Sequence, residues 1–228
     1  MLPHEDTRSD EELVDDYLDG DMGAFRLLIE RYHDPLIRYL TRLMGERSAA
    51  EDAFQDTFLQ IHQSLEHFDS SRRFKPWLFT IATNKGRDAL RKRQRRPAVS
   101  LSAPISDSRG RAFVDLMEME MPDISSDMER AELSALVQKA VDELSPRLRE
   151  ILLLAYFQKM SYAQIAEVVG IPLGTVKSRL HAAVAAFAKA WQLQLDAREQ
   201  AQARAKEGHR ATGTEPFSSH GRTTPDDD

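Results

Sequence analysis

Cysteine is absent from this chain of 228 residues. A chain without thiols forms no disulfide framework, holds no thiolate metal site and carries no thiol redox switch. Long apolar runs are also missing, since none approaches the roughly 20 residues that cross a bilayer. The N-terminus, MLPHEDTRSDEEL, lacks the basic start and apolar stretch of a secretory signal. We therefore expect a cytoplasmic protein without membrane insertion.

Glycine and proline are scarce, with ten of each, and the alternating pattern of β-strands is absent throughout. A hydrophobic content of 41% in a chain of this length favours one or two globular domains with real cores. The seven histidines are scattered, and His62 and His67 are spaced so that they do not share a helix face. We expect an all-α fold with no metal site, no cofactor and no small-molecule substrate.

The net charge of −6 is unevenly distributed. Residues 1–20 carry eight acids against one base, and Asp107–Glu129 carry seven acids against two bases. The segment Arg72–Arg96 carries ten bases against Asp88 alone. A phosphate-binding surface can therefore lie within an acidic protein.

Apolar periodicity predicts two small helical domains joined by a flexible linker. In the first domain, Asp34-Pro35 indicates the start of a new helix, and Ser48 with Glu51 indicates a capping box. The Ser- and Pro-rich region and the Met-bearing acidic region that follow predict the linker, and the polar C-terminus predicts frayed helix and disorder. The boundaries are an acidic extension at 1–21, a domain at 22–96, the linker at 97–125, a domain at 126–195 and a tail at 196–228.

The stretch SYAQIAEVVGIPLGTVKSRL, Ser161–Leu180, has the pattern of a helix-turn-helix motif. Ser161 and Gln164 indicate a capping box, and Gly170 supplies the left-handed residue that ends the first helix. Val176 and Leu180 give the second helix an inward face, whereas its outward polar side chains suit phosphates or base edges in a major groove. An αα-hairpin with a solvated outer face is the alternative.

The helix that begins near Pro76 combines aromatic side chains with a dense run of bases. Cations can follow a nucleic-acid backbone while an aromatic or amide group at the helix start receives an unstacked base. Trp77 is better explained as a core residue than as a stacking platform. The run of bases, in contrast, exceeds what solubility requires.

The predicted helix Ser48–Glu66 has a polar and acidic face opposite its core stripe. This face carries Asp52, Gln55, Asp56 and Leu59 at the spacing i, i+3, i+4, i+7. Both a partner-docking surface and a merely solvated acidic side fit the pattern. Acid–base catalysis by the two aspartates is disfavoured because no His or Cys stands near them in the helix.

Two blocks in this order resemble a bacterial sigma factor of the extracytoplasmic-function group of the sigma-70 family. The first block includes AEDAFQDTFLQIHQ and FKPWLFTIATNKGRDALRKR, and the second includes LSPRLREILLLAYFQKMSYAQIAEVVGIPLGTVKSRLHAA. The resemblance implies a non-enzymatic factor that binds core RNA polymerase, recognises the −35 and −10 promoter elements and promotes melting. It also implies an anti-sigma factor as a further partner.

The resemblance also assigns residues to double-stranded and melted promoter DNA and to polymerase. The polymerase interface would be Asp52, Gln55, Asp56 and Leu59. The −10 contacts would be Phe74, Trp77, Asn84, Lys85, Arg87, Arg91 and Lys92. The −35 contacts would be Pro172, Gly174, Thr175, Lys177, Ser178, Arg179 and His181. The chain departs from the family pattern at Ala182, where many members have an arginine.

Two other functions compete with this interpretation. A helix-turn-helix regulator would occupy an operator without docking on polymerase. A nucleic-acid-processing enzyme would use Asp52 and Asp56 with a metal ion.

Overall fold

The computed structural model describes the backbone of residues 6–69, 71–94 and 127–211, with side chains in these ranges except at 94, 127–132 and 201–211. Regular structure in these ranges is helical, which confirms the all-α prediction. A 3-10 turn covers Leu65–His67, and a π-helical turn covers Leu153–Phe157. The helices are α1 (Asp10–Leu18), α2 (Met22–Met44), α3 (Arg47–Ser64), α4 (Phe74–Gln94), α5 (Asp127–Asp142), α6 (Pro146–Leu152), α7 (Tyr162–Val169) and α8 (Leu173–Ala211).

Helices α1–α4 form an N-terminal bundle, and α5 to residue 191 of α8 form a C-terminal bundle. The described residues up to Trp191 belong to one compact unit, and a second unit begins at Gln192. Helix α8 continues to Ala211, well past the predicted tail boundary at residue 196. The predicted linker 97–125 and the final residues 212–228 lie outside the described residues.

Helix α1 belongs to the core, although the sequence indicates only an acidic extension. Ser9 caps it in a capping box with Glu12, and Leu13 and Val14 are fully buried. The Asp10 carboxylate accepts a hydrogen bond from Arg31 at 2.6 Å, and Glu11 accepts one from the backbone N–H of Phe74 at 3.0 Å. The acidic segment therefore anchors two neighbouring helices through charge-assisted hydrogen bonds.

Helix α2 is continuous, so the predicted restart at Asp34-Pro35 is wrong. An interior proline costs roughly 3 kcal/mol because it removes a backbone hydrogen bond. Tyr32, Leu36 and Ile37 flank it and are all buried, so apolar burial on both sides of the proline offsets that cost. The helix ends at Gly45 as predicted, with a left-handed φ of 75°.

Helix α3 begins at Arg47, and the predicted capping box of Ser48 and Glu51 is also wrong. The Ser48 hydroxyl donates to the Glu46 carboxylate at 2.9 Å, and Glu51 accepts from Arg47 at the same distance. The predicted core stripe is confirmed, since Phe54, Thr57, Phe58, Ile61 and Leu65 are buried.

The helix-turn-helix of the C-terminal bundle forms as predicted. The Ser161 hydroxyl accepts from the Gln164 N–H at 3.3 Å, and the Gln164 side chain accepts from the Ser161 N–H at 2.8 Å. Gly170 adopts a φ of 71° and ends α7. Val176 and Leu180 are buried, which fixes which face of α8 points outward. Within the described ranges, no helix combines the length and apolar character needed to cross a bilayer.

Candidate nucleic-acid interfaces

The first turns of α8 present most of the predicted −35 set to solvent. Lys177, Ser178 and His181 are exposed, as are Pro172 just before the helix and Gly174 in its first turn. Thr175 is half-buried, and its backbone carbonyl accepts a hydrogen bond from the Ser178 hydroxyl at 3.1 Å. A cation, an imidazole and a hydroxyl on one open face suit both phosphate oxygens and base edges.

Arg179 does not share this open face. It is half-buried and lines a cleft of about 660 Å³, here called the cationic cleft. The side chains around this cleft come from both bundles and include Arg87, Arg91, Arg147, Glu150 and Arg179. Arg179 points to a different side of α8 from Lys177 and His181, and its assignment to the −35 contacts stays a prediction.

Helix α4 packs closely against α2 and thereby positions the predicted −10 residues. A methyl group at Gly86 would lie 2.9 Å from Leu43 Cδ2, so only glycine fits this approach without adjustment. Thr83 bonds the buried Tyr39 hydroxyl at 2.8 Å on the inner face. The outer face carries exposed Asn84, Arg91 and Lys92 and half-buried Lys85 and Arg87.

Phe74, which the resemblance placed among the −10 contacts, is fully buried. Its ring packs against Tyr32, Phe68 and Trp77, with ring centroids 5.8–5.9 Å apart. The assignment of Phe74 to DNA contact is therefore corrected, because its ring offers no free surface for a base. Trp77 is half-buried against Phe68 at 4.8 Å, which agrees with its interpretation as a core residue.

The basic residues of the N-terminal bundle have acceptors in the C-terminal bundle that the sequence did not reveal. Arg87 binds both carboxylate oxygens of Glu150, at 2.5 and 3.0 Å, and also contacts the Asn84 amide oxygen at 3.3 Å. Lys75 donates to the Gln158 carbonyl at 2.9 Å, and Arg72 pairs with Glu167. The partners are 63–95 residues apart in sequence, so no local motif signals them.

Burial controls the electrostatics of these contacts. It raises the pKa of the Glu150 carboxyl, although Arg87 opposes this effect, and it lowers the pKa of the Lys75 ammonium group. A carboxylate that is desolvated in this way depends on its guanidinium partner. Loss of Arg87 would leave Glu150 as an unpaired buried acid.

The predicted docking face on α3 is fully open. Asp52, Gln55 and Asp56 are exposed, and Leu59 keeps 57% of its surface accessible. In the part of the chain that the structure describes, no three His, Asp or Glu side chains are grouped closely enough to hold a metal ion. The docking role of this face stays a prediction.

Two family models match the two bundles. Residues 28–96 match sigma-70 region 2, and residues 134–187 match sigma-70 region 4. The chain is similar to the extracytoplasmic-function (ECF) RNA polymerase sigma factor SigW of Bacillus subtilis, with 30% identity over 71% of this chain and 86% of SigW. It is also similar to the RNA polymerase sigma-H factor of Pseudomonas aeruginosa, with 33% identity over 80% of this chain and 94% of that factor.

Solved structures share the fold. CnrH, in a complex with the cytosolic domain of CnrY, superposes with a TM-score of 0.58 at 24% identity, covering 83% of this chain and 99% of CnrH. The sigma factor RpoE of Bartonella quintana, in a complex with the anti-sigma factor NepR, gives a TM-score of 0.54 at 24% identity, covering 75% of this chain and 96% of RpoE. At this identity the likeness extends to the fold alone.

Proposed function

Because the chain belongs to the extracytoplasmic-function group of the sigma-70 family, we propose that it directs core RNA polymerase to promoters by recognising their −35 and −10 elements and promoting melting of the latter. The observation that carries this proposal is the joint presence of sigma-70 regions 2 and 4, in family order, in one chain. Catalysis belongs to the polymerase in this scheme, so the chain itself needs no catalytic group. We further propose that it acts in the cytoplasm.

Core polymerase binds to the open face of α3. Leu59 supplies the apolar contact, and Asp52, Gln55 and Asp56 supply polar contacts around it. When a partner covers this exposed leucine, the complex is stabilised by roughly 25 cal/mol for each Å² of apolar surface removed from water. The surrounding carboxylates add orientation, because they pair with cations on the partner.

The −10 element binds along the outer face of α4. Lys85, Arg87, Arg91 and Lys92 neutralise phosphates, and Asn84 offers an amide to the edge of an unstacked base. Extruding a base costs a few kcal/mol, so a protein that captures the extruded base shifts the equilibrium toward the melted promoter. Phe74 and Trp77 support this face from the core.

The −35 element binds at the start of α8. Lys177, Ser178 and His181 reach base edges and phosphates, while the backbone near Pro172 and Gly174 and the hydroxyl of Thr175 approach the phosphate chain. Ala182 is exposed next to His181 and contributes no cation there. This chain therefore offers fewer positive charges to the −35 element than relatives that have an arginine at this position.

An anti-sigma factor is a further proposed partner. The B. quintana RpoE structure holds an anti-sigma factor on the same fold, and the proposed polymerase and DNA faces here are the surfaces that such a factor would need to cover. Neither competing function is favoured: an operator-binding regulator has no use for the α3 face, and the metal-dependent enzyme lacks a grouped set of ligands among the described residues.

The proposal is tested by run-off transcription with core polymerase and the full chain on a genomic promoter library. The expected result is specific initiation at promoters that share a −35 and a −10 motif, and none with core polymerase alone. Binding to DNA without any transcript, and no association with core polymerase, would instead identify an operator-binding regulator.

A further inference from the structure

Helix α4, the proposed −10 helix, is not free in this structure, because Glu150 of the C-terminal bundle pairs with Arg87 in the middle of the helix. Both oxygens of Glu150 accept hydrogen bonds from the Arg87 guanidinium, at 2.5 Å from Nη2 and 3.0 Å from Nε. The Glu150 side chain is only 5% exposed and that of Arg87 29% exposed. A charge-assisted bidentate pair of this kind is among the strongest polar contacts in proteins.

The carboxylate takes the place that a phosphate would need. A guanidinium offers N–H donors in a fixed planar fork, and carboxylates and phosphates bind that fork in the same bidentate way. Since Glu150 already uses Nε and Nη2, DNA can reach these donors only after the carboxylate has left. Asn84 is also engaged, through its contact with the third nitrogen of Arg87 at 3.3 Å.

The charges around the pair favour the exchange of the Glu150 carboxylate for a phosphate. Four arginines line the cationic cleft, and Glu150 is the one carboxylate among its described lining residues. The cleft therefore keeps an excess of positive charge while it is closed. A nucleic-acid strand with several phosphates satisfies these cations more completely than one glutamate does.

Further contacts join the two bundles near the start of α4. Lys75 donates to the Gln158 carbonyl at 2.9 Å, and Arg72 pairs with Glu167 of α7. On the far side, the Arg42 guanidinium lies 4.4 Å from the centre of the Phe157 ring. The C-terminal bundle thus contacts Lys75 at the start of α4 and Arg87 in its middle.

We propose that Glu150 is an internal competitor of promoter DNA, which occupies Arg87 in the free protein and must be displaced before the −10 face binds nucleic acid. The inference rests on the proposed function of α4. Its consequence is that the free chain binds DNA weakly. The apparent affinity is the intrinsic affinity multiplied by the fraction of molecules in the open, binding-competent state. Separation of the bundles on polymerase would remove that restriction.

The first experiment measures binding of the full chain to a fluorescent single-stranded oligonucleotide of mixed sequence at several salt concentrations. Glu150→Gln is expected to bind about fivefold tighter than the wild type with the same salt dependence, because Arg87 contacts a phosphate in both complexes once Glu150 has been displaced. Glu143→Gln is the matched control, since it removes the same charge from an exposed position in the same bundle. Glu150→Asp, whose shorter side chain reaches less well, is expected to act in the same direction and covers the case that Glu150→Gln does not fold.

The second experiment follows the separation itself. The absence of native cysteine allows dyes to be attached at Gln63→Cys and Lys189→Cys, both exposed and on different bundles. Energy transfer in the wild type is expected to change when saturating oligonucleotide is added. In Glu150→Gln, energy transfer without oligonucleotide is expected to lie closer to the value of the saturated wild type. Unchanged energy transfer at saturation would overturn the requirement for displacement.

The outcomes separate this inference from the proposed function. If Glu150→Gln binds no better than Glu143→Gln while Arg87→Gln weakens binding, Arg87 contacts DNA and Glu150 does not compete, so the inference is wrong and the −10 assignment stands. If Arg87→Gln has no effect even in the Glu150→Gln background, the −10 role of Arg87 fails and the inference fails with it. Run-off transcription reports on the sigma function independently of both.

Discussion

Gly86 offers a test of the packing that positions the −10 helix. A glycine in a helix interior is about 1 kcal/mol less favourable than alanine, so Gly86→Ala would stabilise an isolated α4 by about that amount. In the folded chain the new methyl group would lie 2.9 Å from Leu43 Cδ2 and 3.6 Å from Leu40 Cδ2. Both leucines are buried and have little freedom to move. Overpacking of a core costs roughly 1–3 kcal/mol, so steric repulsion outweighs helix propensity.

We expect Gly86→Ala to lower the free energy of unfolding by about 1 kcal/mol, which corresponds to about 2–4 °C in the melting temperature of a chain this size. Leu43→Val removes the atom that clashes. In that background the same Gly86→Ala change is expected to stabilise the protein by about 1 kcal/mol, because only the propensity term remains. The coupling between the two sites is then about 2 kcal/mol.

The assay is urea or thermal denaturation of the full chain, followed by circular dichroism, for the wild type, the two single variants and the double variant. Gly174→Ala is the control, since a methyl group there meets no atom within 4 Å and tests propensity alone. If Gly86→Ala stabilises the wild type as much as it stabilises the Leu43→Val protein, the close approach of α4 to α2 does not explain the glycine.

Three further changes test the surfaces and the helix-turn-helix. Replacing Asp56 with Asn and Leu59 with Ala is expected to reduce affinity for core polymerase at least tenfold in a pull-down titration, while the melting temperature stays unchanged because both side chains are exposed; full retention of affinity would contradict docking on α3. Replacing Lys177 and His181 with Ala is expected to weaken binding to promoter fragments that carry the −35 element more than binding to unrelated DNA, and an equal loss on both would indicate phosphate attraction alone. Ser161→Ala removes the N-cap of α7 and is expected to cost about 1 kcal/mol of stability by denaturation, whereas Ser161→Thr should retain most of it.

Local chemistry made the helix-turn-helix predictable in detail. The Ser161 cap, the Gly170 end and the buried Val176 all follow from interactions within a few residues, and such interactions are visible in the sequence. The core stripe of α3 was predictable for the same reason. The prediction of a helix restart at Pro35 failed because it considered the proline alone. Burial of the apolar residues on both sides of Pro35 keeps α2 continuous.

Long-range contacts were beyond sequence reasoning. Nothing near Glu150 distinguishes it from other acids, yet the fold brings it to Arg87, 63 residues earlier in the chain. The aromatic character of Phe74 suggested base stacking, but its neighbours Tyr32 and Phe68 enclose it. Side-chain type therefore indicated the chemistry of the −10 region, whereas tertiary packing determined which groups remain on its surface.

Arg149 links the two bundles at a point where they are expected to stay together. Its guanidinium donates to the carbonyls of Val141 and Asp142 at the end of α5 and to that of Leu43 at the end of α2, at 2.6–3.1 Å. Each helix end carries about half a negative charge from its dipole, so one cation balances both. Separation at this point would leave the end of α2 without its counter-charge. At the Glu150 edge, in contrast, a phosphate can replace the carboxylate on Arg87 one for one, so the bundles are expected to part there first, with Arg149 as the pivot.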